Sequence, residues 1–82
     1  MIRLTLLTRP GCHLCDDMKA LVQRTGERHD IMLEQVDISS HDELVGQFGT
    51  QIPILVHGDR VVARTRTTEE DLRAFLRTLD TE

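Results

Sequence analysis

Cys12 and Cys15 are the two cysteines of the 82-residue chain, and only His13 and Leu14 separate them. A disulfide between them would close a loop of about four residues and add roughly 2 kcal/mol at most through chain entropy, against about 3 for a fifteen-residue loop. Such a bond is a poor staple. The spacing points instead to thiol chemistry, either reversible oxidation or ligation of a metal or iron-sulfur cluster. Only a thiolate attacks a disulfide, and a free cysteine with a pKa of about 8.5 is roughly 3% ionised at pH 7. Lowering that pKa by two units takes about 2.7 kcal/mol of preferential stabilisation of the anion, of which a helix dipole supplies typically about 0.3–1. Amide N–H donors at a helix start must therefore contribute. Arg9 and a protonated His13 add positive charge, while Asp16 and Asp17 oppose them. Cys12 is the expected exposed nucleophile, and Cys15, one turn inward, the expected resolving thiol. Zinc is disfavoured because there is no second cysteine pair, and His29 and His41 lie in unrelated segments at no ligand spacing. A cluster bridging two chains stays open as the alternative. His29, His41 and His57 read as surface residues.

The elements around the pair have to place it at a helix start. Ile2, Leu4 and Leu6 alternate with Arg3 and Thr5, the period of a strand, and Arg9-Pro10-Gly11 breaks it. From Leu14 the apolar residues Leu14, Met18, Leu21 and Val22 share one face of a helix that ends near Gly26, with Cys12 at its N-terminus. Ile31 to Ile38 reads as a second strand with Met32, Val36 and Ile38 on one face. Ser40-His41-Asp42-Glu43 fits a capping box for a two-turn helix running to about Phe48 before Gly49. Pro53 opens the run Ile54-Leu55-Val56, Gly58-Asp59 suits a hairpin turn with glycine at positive φ, and Arg60-Val61-Val62-Ala63 returns antiparallel. Thr67-Thr68-Glu69-Glu70 offers another capping box, and Leu72, Phe75, Leu76 and Leu79 keep the spacing of a packed helix. The expected whole is a single domain over residues 1–82, an α/β protein of order βαβαββα. Its first two strands should be parallel and the terminal hairpin should complete a four-stranded mixed sheet.

Composition narrows the function classes. The net charge is −4, with 14 acidic against 10 basic side chains and neither Trp nor Tyr, so phosphate neutralisation and base stacking lack their usual residues and no nucleic-acid partner is expected. No apolar run is long enough to span a membrane. The N-terminus lacks a long apolar core followed by a small-residue cleavage site, which makes cytoplasm the expected compartment. A monomer is expected.

The element order, the C-x-x-C after the first strand and the Ile52-Pro53 dipeptide before the third resemble the thioredoxin fold. The short length and the absence of Trp before Cys12 resemble its glutaredoxin branch, and Thr8-Arg9-Pro10-Gly11-Cys12-His13-Leu14-Cys15-Asp16 is similar to the opening of a bacterial group of glutaredoxin-like proteins. The resemblance implies a thiol-disulfide oxidoreductase without a bound cofactor, acting on a disulfide-containing protein or small thiol and drawing on glutathione or a thioredoxin reductase-type reductant. It implies a cis peptide before Pro53, with Pro53 and the main chain of Ile52 binding an extended thiol substrate beside the cysteines. Arg9 matches the basic position that glutaredoxins keep three residues before the first cysteine. The chain departs from the pattern at Thr50 and Gln51, where glutaredoxins usually carry an arginine and a threonine. It departs again at Ala63-Arg64-Thr65-Arg66-Thr67-Thr68, where they carry a Gly-Gly pair. Free amides at the start of the last helix, at Thr67 and Thr68, could still hold a carboxylate, helped by Arg64 or Arg66, but glutathione is expected to be a poor reductant.

Overall fold

The computed structural model describes residues 2–26 and 29–80. Its elements are β1 (Ile2–Thr8), α1 (His13–Thr25), β2 (Ile31–Asp37), a 3-10 turn (Ile38–Ser40), α2 (Asp42–Phe48), β3 (Ile54–His57), β4 (Arg60–Arg64) and α3 (Glu69–Asp80). The strands form one sheet in the order β2-β1-β3-β4. β1 and β2 are parallel from Ile2↔Ile31 to Thr8↔Asp37, β3 is antiparallel to β1, and β4 is antiparallel to β3. This is the thioredoxin-like arrangement expected from the sequence.

β1 is paired on both edges and covered on both faces. Leu4 and Leu6 enter a core with Met18 and Val22 of α1, Leu55 of β3, and Leu72 and Leu76 of α3. Leu7 points the other way and packs with Ile38 and Ile54 in a smaller core, against which Leu44 and Phe48 of α2 lie. The result is three layers, with α1 and α3 on one face of the sheet and α2 on the other. Each fully buried aliphatic side chain contributes about 1.5–3 kcal/mol relative to its exposed state. The hairpin turns at Gly58 with φ of +60°, as expected, and its register shifts between Leu55 and Val56. Among the described residues no helix is long and apolar enough to cross a membrane.

Three local expectations need correction. Val36 and Ile38 do line the smaller core, but Met32 on the same side of β2 is 50% exposed. α2 has 7 residues, about 10 Å of helix, and cannot reach that far along the strand, while the other side of β2 sends Ile31 and Leu33 to the main core. The capping box at Ser40 does not form. Asp37 accepts from the Ser39 N–H at 2.9 Å and from the Ser39 hydroxyl at 2.7 Å, which closes the 3-10 turn, so α2 starts one residue later with His41 as an N-cap that makes no side-chain bond. At α3 the hydroxyl of Thr68, not Thr67, accepts from the Asp71 N–H at 3.1 Å. The bridge between Arg64 and Arg66 keeps the chain out of helical geometry for one residue longer than the sequence pattern suggests.

Candidate functional site

β1 ends where Arg9-Pro10-Gly11 turns the chain, and Gly11 adopts φ of +72°, a value open to glycine at little cost. That turn delivers Cys12 to the N-cap of α1 in an extended conformation. Its Sγ accepts the Cys15 N–H at 3.0 Å, taking the role usually filled by a Ser, Thr, Asp or Asn oxygen. Cys12 is half-buried, Cys15 is buried on the inner side of the first turn, and the two form a disulfide with their Cα atoms 5.2 Å apart. His13 is exposed in the first helical position.

On one side of the pair is a cleft of about 280 Å³ whose walls include both cysteines, Arg9, Asp16, Gln35 and Asp37. Arg9 is exposed and directs Nη1 toward the Gly49 carbonyl at 3.5 Å, bridging loosely to the end of α2. Asp37 was not among the residues singled out from sequence. The Ser39 hydroxyl and amide hold its carboxyl below the ordinary carboxylate value, and the positive charges of His41 and Arg9 act in the same direction. An Asp followed two residues later by Ser at a strand end was the available signal, since this spacing suits a local side-chain-to-backbone turn.

At the same end of the sheet is the segment that leads into β3. The Ile52–Pro53 peptide is cis, as the resemblance implied, Pro53 is buried and Ile52 half-buried. Because Leu7 pairs with Ile54, this segment lies at the same end of the sheet as the cysteine turn. It is fastened to the β4–α3 connection. Arg64 donates Nη1 to Gln51 Oε1 at 2.6 Å, and Thr65 donates its N–H to the Gln51 and Pro53 carbonyls at 3.1 and 2.8 Å. Thr67 borders a groove of about 410 Å³ that also touches Leu14, Met18, Arg24, Thr65 and Arg66. Thr68 gives its hydroxyl to the α3 cap. The candidate residues thus fall around one end of the sheet, with Arg9 on the α2 side of the cysteines and Thr67 in the groove beside α1.

Of the other histidines, His41 is exposed near Asp37, and His29, expected on the surface, is half-buried. His57, expected on the surface, is half-buried against Phe75 in an edge-to-face contact with ring centroids 5.6 Å apart, and Arg60 stands 5.7 Å from the same ring. Among the described residues no group of three or more His, Cys, Asp or Glu side chains converges as a metal site would require.

Solved structures with the same arrangement include a protein from X. campestris, 28% identical over 92% of this chain and 96% of that one, with a TM-score of 0.79. A protein from Nitrosomonas europaea is 22% identical over 90% of this chain and 89% of that one, also with a TM-score of 0.79. A thioredoxin mutant from Halobacterium salinarum shares the fold at 17% identity, covering 94% of this chain and 73% of that one, with a TM-score of 0.62. No functionally curated protein matches the sequence. A glutaredoxin-like fold with a C-x-x-C pair at disulfide distance is suited to a redox role, and residues 3–77 match the family model described as Glutaredoxin-like domain (DUF836), so the chain belongs to that glutaredoxin-like family.

Proposed function

We propose that the protein is a thiol-disulfide oxidoreductase that reduces disulfides with its own dithiol. The observation that carries this reading is the Cys12 sulfur at the α1 N-cap, accepting the Cys15 amide and disulfide-bonded to the buried Cys15. Once the disulfide is reduced, an N–H donor and the positive end of the helix both favour a thiolate at Cys12. Arg9 adds positive charge, and Asp16 and Asp17 oppose it. In the reduced enzyme the Cys12 thiolate attacks one sulfur of a substrate disulfide. That S–S bond breaks, the leaving thiolate takes a proton, and a mixed disulfide with Cys12 remains. Cys15 then loses its proton and attacks Cys12 Sγ, which releases the second substrate thiol and forms the Cys12–Cys15 disulfide. Two electrons pass from the dithiol to the substrate, and an external dithiol or two monothiols return them. The Ile52 main chain and Pro53 bind the stretch of substrate next to its sulfur. Arg9 is the anion contact, and Arg64, Thr67 and Thr68 form a weaker one. The substrate is a disulfide-containing protein or a small thiol compound, and the enzyme works as a cytoplasmic monomer.

The test is turnover coupled to NADPH, through glutathione in one assay and through thioredoxin reductase in the other. The thioredoxin reductase assay should turn over and the glutathione assay should saturate weakly. Cys12→Ser should fall to background in both, whereas Cys15→Ser should accumulate a mixed disulfide visible by intact mass. Equal loss in both variants without that adduct, together with stoichiometric metal in the purified wild type, would favour the ligand-set alternative.

A further inference from the structure

Thr65 is the one residue other than glycine with a positive φ among the described residues, at +62°. A β-branched side chain is rare in that region because its Cβ substituents crowd the backbone, so the surrounding structure must hold it there. Three hydrogen bonds do so, and all end on one short segment. The Thr65 N–H is shared between the Gln51 carbonyl at 3.1 Å and the Pro53 carbonyl at 2.8 Å, and the Thr65 hydroxyl donates to the Gln51 carbonyl at 3.1 Å. Arg64 adds its bond to the Gln51 side chain. Gln51–Pro53 has no strand of its own, since β3 begins at Ile54. Its position therefore depends on this connection, and on the Gln51 N–H bond to Phe48 at 2.8 Å.

We infer that Thr65 is a positioning residue for polypeptide substrates, which locks the Gln51–Pro53 segment so that the Ile52 main chain is presented in one place beside the cysteines. The inference rests on the thiol-exchange reading above and adds a substrate class to it. A small symmetric disulfide needs only the Cys12 sulfur, whereas a polypeptide disulfide also needs a fixed backbone to pair with. A left-handed residue held against its intrinsic preference at such a place is what a functional constraint on the backbone predicts. Glycine would adopt this φ without strain, but it would leave the Gln51 carbonyl short of one donor and the turn free to swing.

The experiment compares the reduced wild type, Thr65→Gly and Thr65→Ser on two substrates. One is the aromatic disulfide 5,5′-dithiobis(2-nitrobenzoate), and the other is insulin with dithiothreitol as electron donor. Thr65→Gly should release thionitrobenzoate at the wild-type rate, keep the wild-type pH profile for Cys12 alkylation, and lose about fivefold in kcat/KM on insulin, mainly through KM. Fivefold is roughly the factor that one lost hydrogen bond carries. Thr65→Ser keeps the hydroxyl and should restore insulin turnover. Wild-type insulin kinetics in Thr65→Gly, a parallel loss on the small disulfide, or no restoration by Thr65→Ser would each overturn the inference. Amide exchange of the wild type gives an answer that needs no variant: a protected Thr65 amide supports the lock, and an unprotected one removes it. A wild type that reduces neither substrate sinks the thiol-exchange reading itself, and this inference with it.

Discussion

A sulfur occupies the position from which an oxygen usually caps a helix, and this ties the proposed nucleophile to the stability of α1. Cys12 Sγ accepts the Cys15 amide, so replacement by serine keeps a capping atom and removes the proposed nucleophile, while replacement by alanine removes both. The two variants should therefore be equally inactive but unequal in stability. Cys12→Ala should be less stable than Cys12→Ser by about 0.5–2 kcal/mol in urea unfolding under reducing conditions. Equal midpoints would mean that the amide contact does nothing for the helix. The cysteines were legible from sequence because a two-residue spacing at a helix start is itself the signal. Thr65 was not, because its identity says nothing of a φ that only the meeting of β4 with the Gln51–Pro53 segment imposes.

At the scale of elements, strands and helices followed their apolar periods, but their starts followed the local competition for backbone donors. Asp37 illustrates this. Its carboxylate takes the Ser39 amide and hydroxyl and so inserts a 3-10 turn that takes in Ser40, which the sequence pattern placed as the N-cap of α2. Met32 shows the other limit, since alternation identifies a face of β2 but not how far a short helix extends over it. The Asp37 turn has a pH signature. The Ser39 bonds hold the folded-state pKa below its ordinary 3.8, so the unfolded chain takes up the proton first as the pH falls. Asp37 therefore adds stability that is fully present above its ordinary pKa and is lost as the pH falls through the lowered one. Asp37→Asn should have a lower urea midpoint than wild type at neutral pH, and the gap should close in acid below the carboxylate range. A gap that stays constant down to about pH 2.5 would assign the effect to packing or to the amide, not to the charge.

For the whole molecule, a chain of 82 residues has about 4–12 kcal/mol of stability at 0.05–0.15 kcal/mol per residue. The Cys12–Cys15 bond adds about 2 kcal/mol at most, so oxidation and reduction can cycle without unfolding the scaffold only if the sheet and its cores hold it alone. Leu6 is fully buried where β1, α1, β3 and α3 meet, among Met18, Val22, Leu55, Leu72 and Leu76. Leu6→Ala should cost about 2–5 kcal/mol, more than the disulfide contributes. At about 4–8 °C per kcal/mol for a domain of this size, the thermal midpoint should fall by roughly 10 °C or more. Met32→Ala, on the uncovered part of β2, should stay within about 0.5 kcal/mol of wild type. The comparison belongs in the reduced protein, where the disulfide cannot mask the loss. At a temperature where Leu6→Ala remains folded, its Cys12 alkylation rate should match wild type, because the amide that contacts Cys12 belongs to the first turn of α1 and not to the core. Equal losses in the two variants would mean that the α1 and α3 face of the sheet is not where the stability resides, and a slowed alkylation in folded Leu6→Ala would mean that the core, and not the helix start alone, sets the reactivity of Cys12.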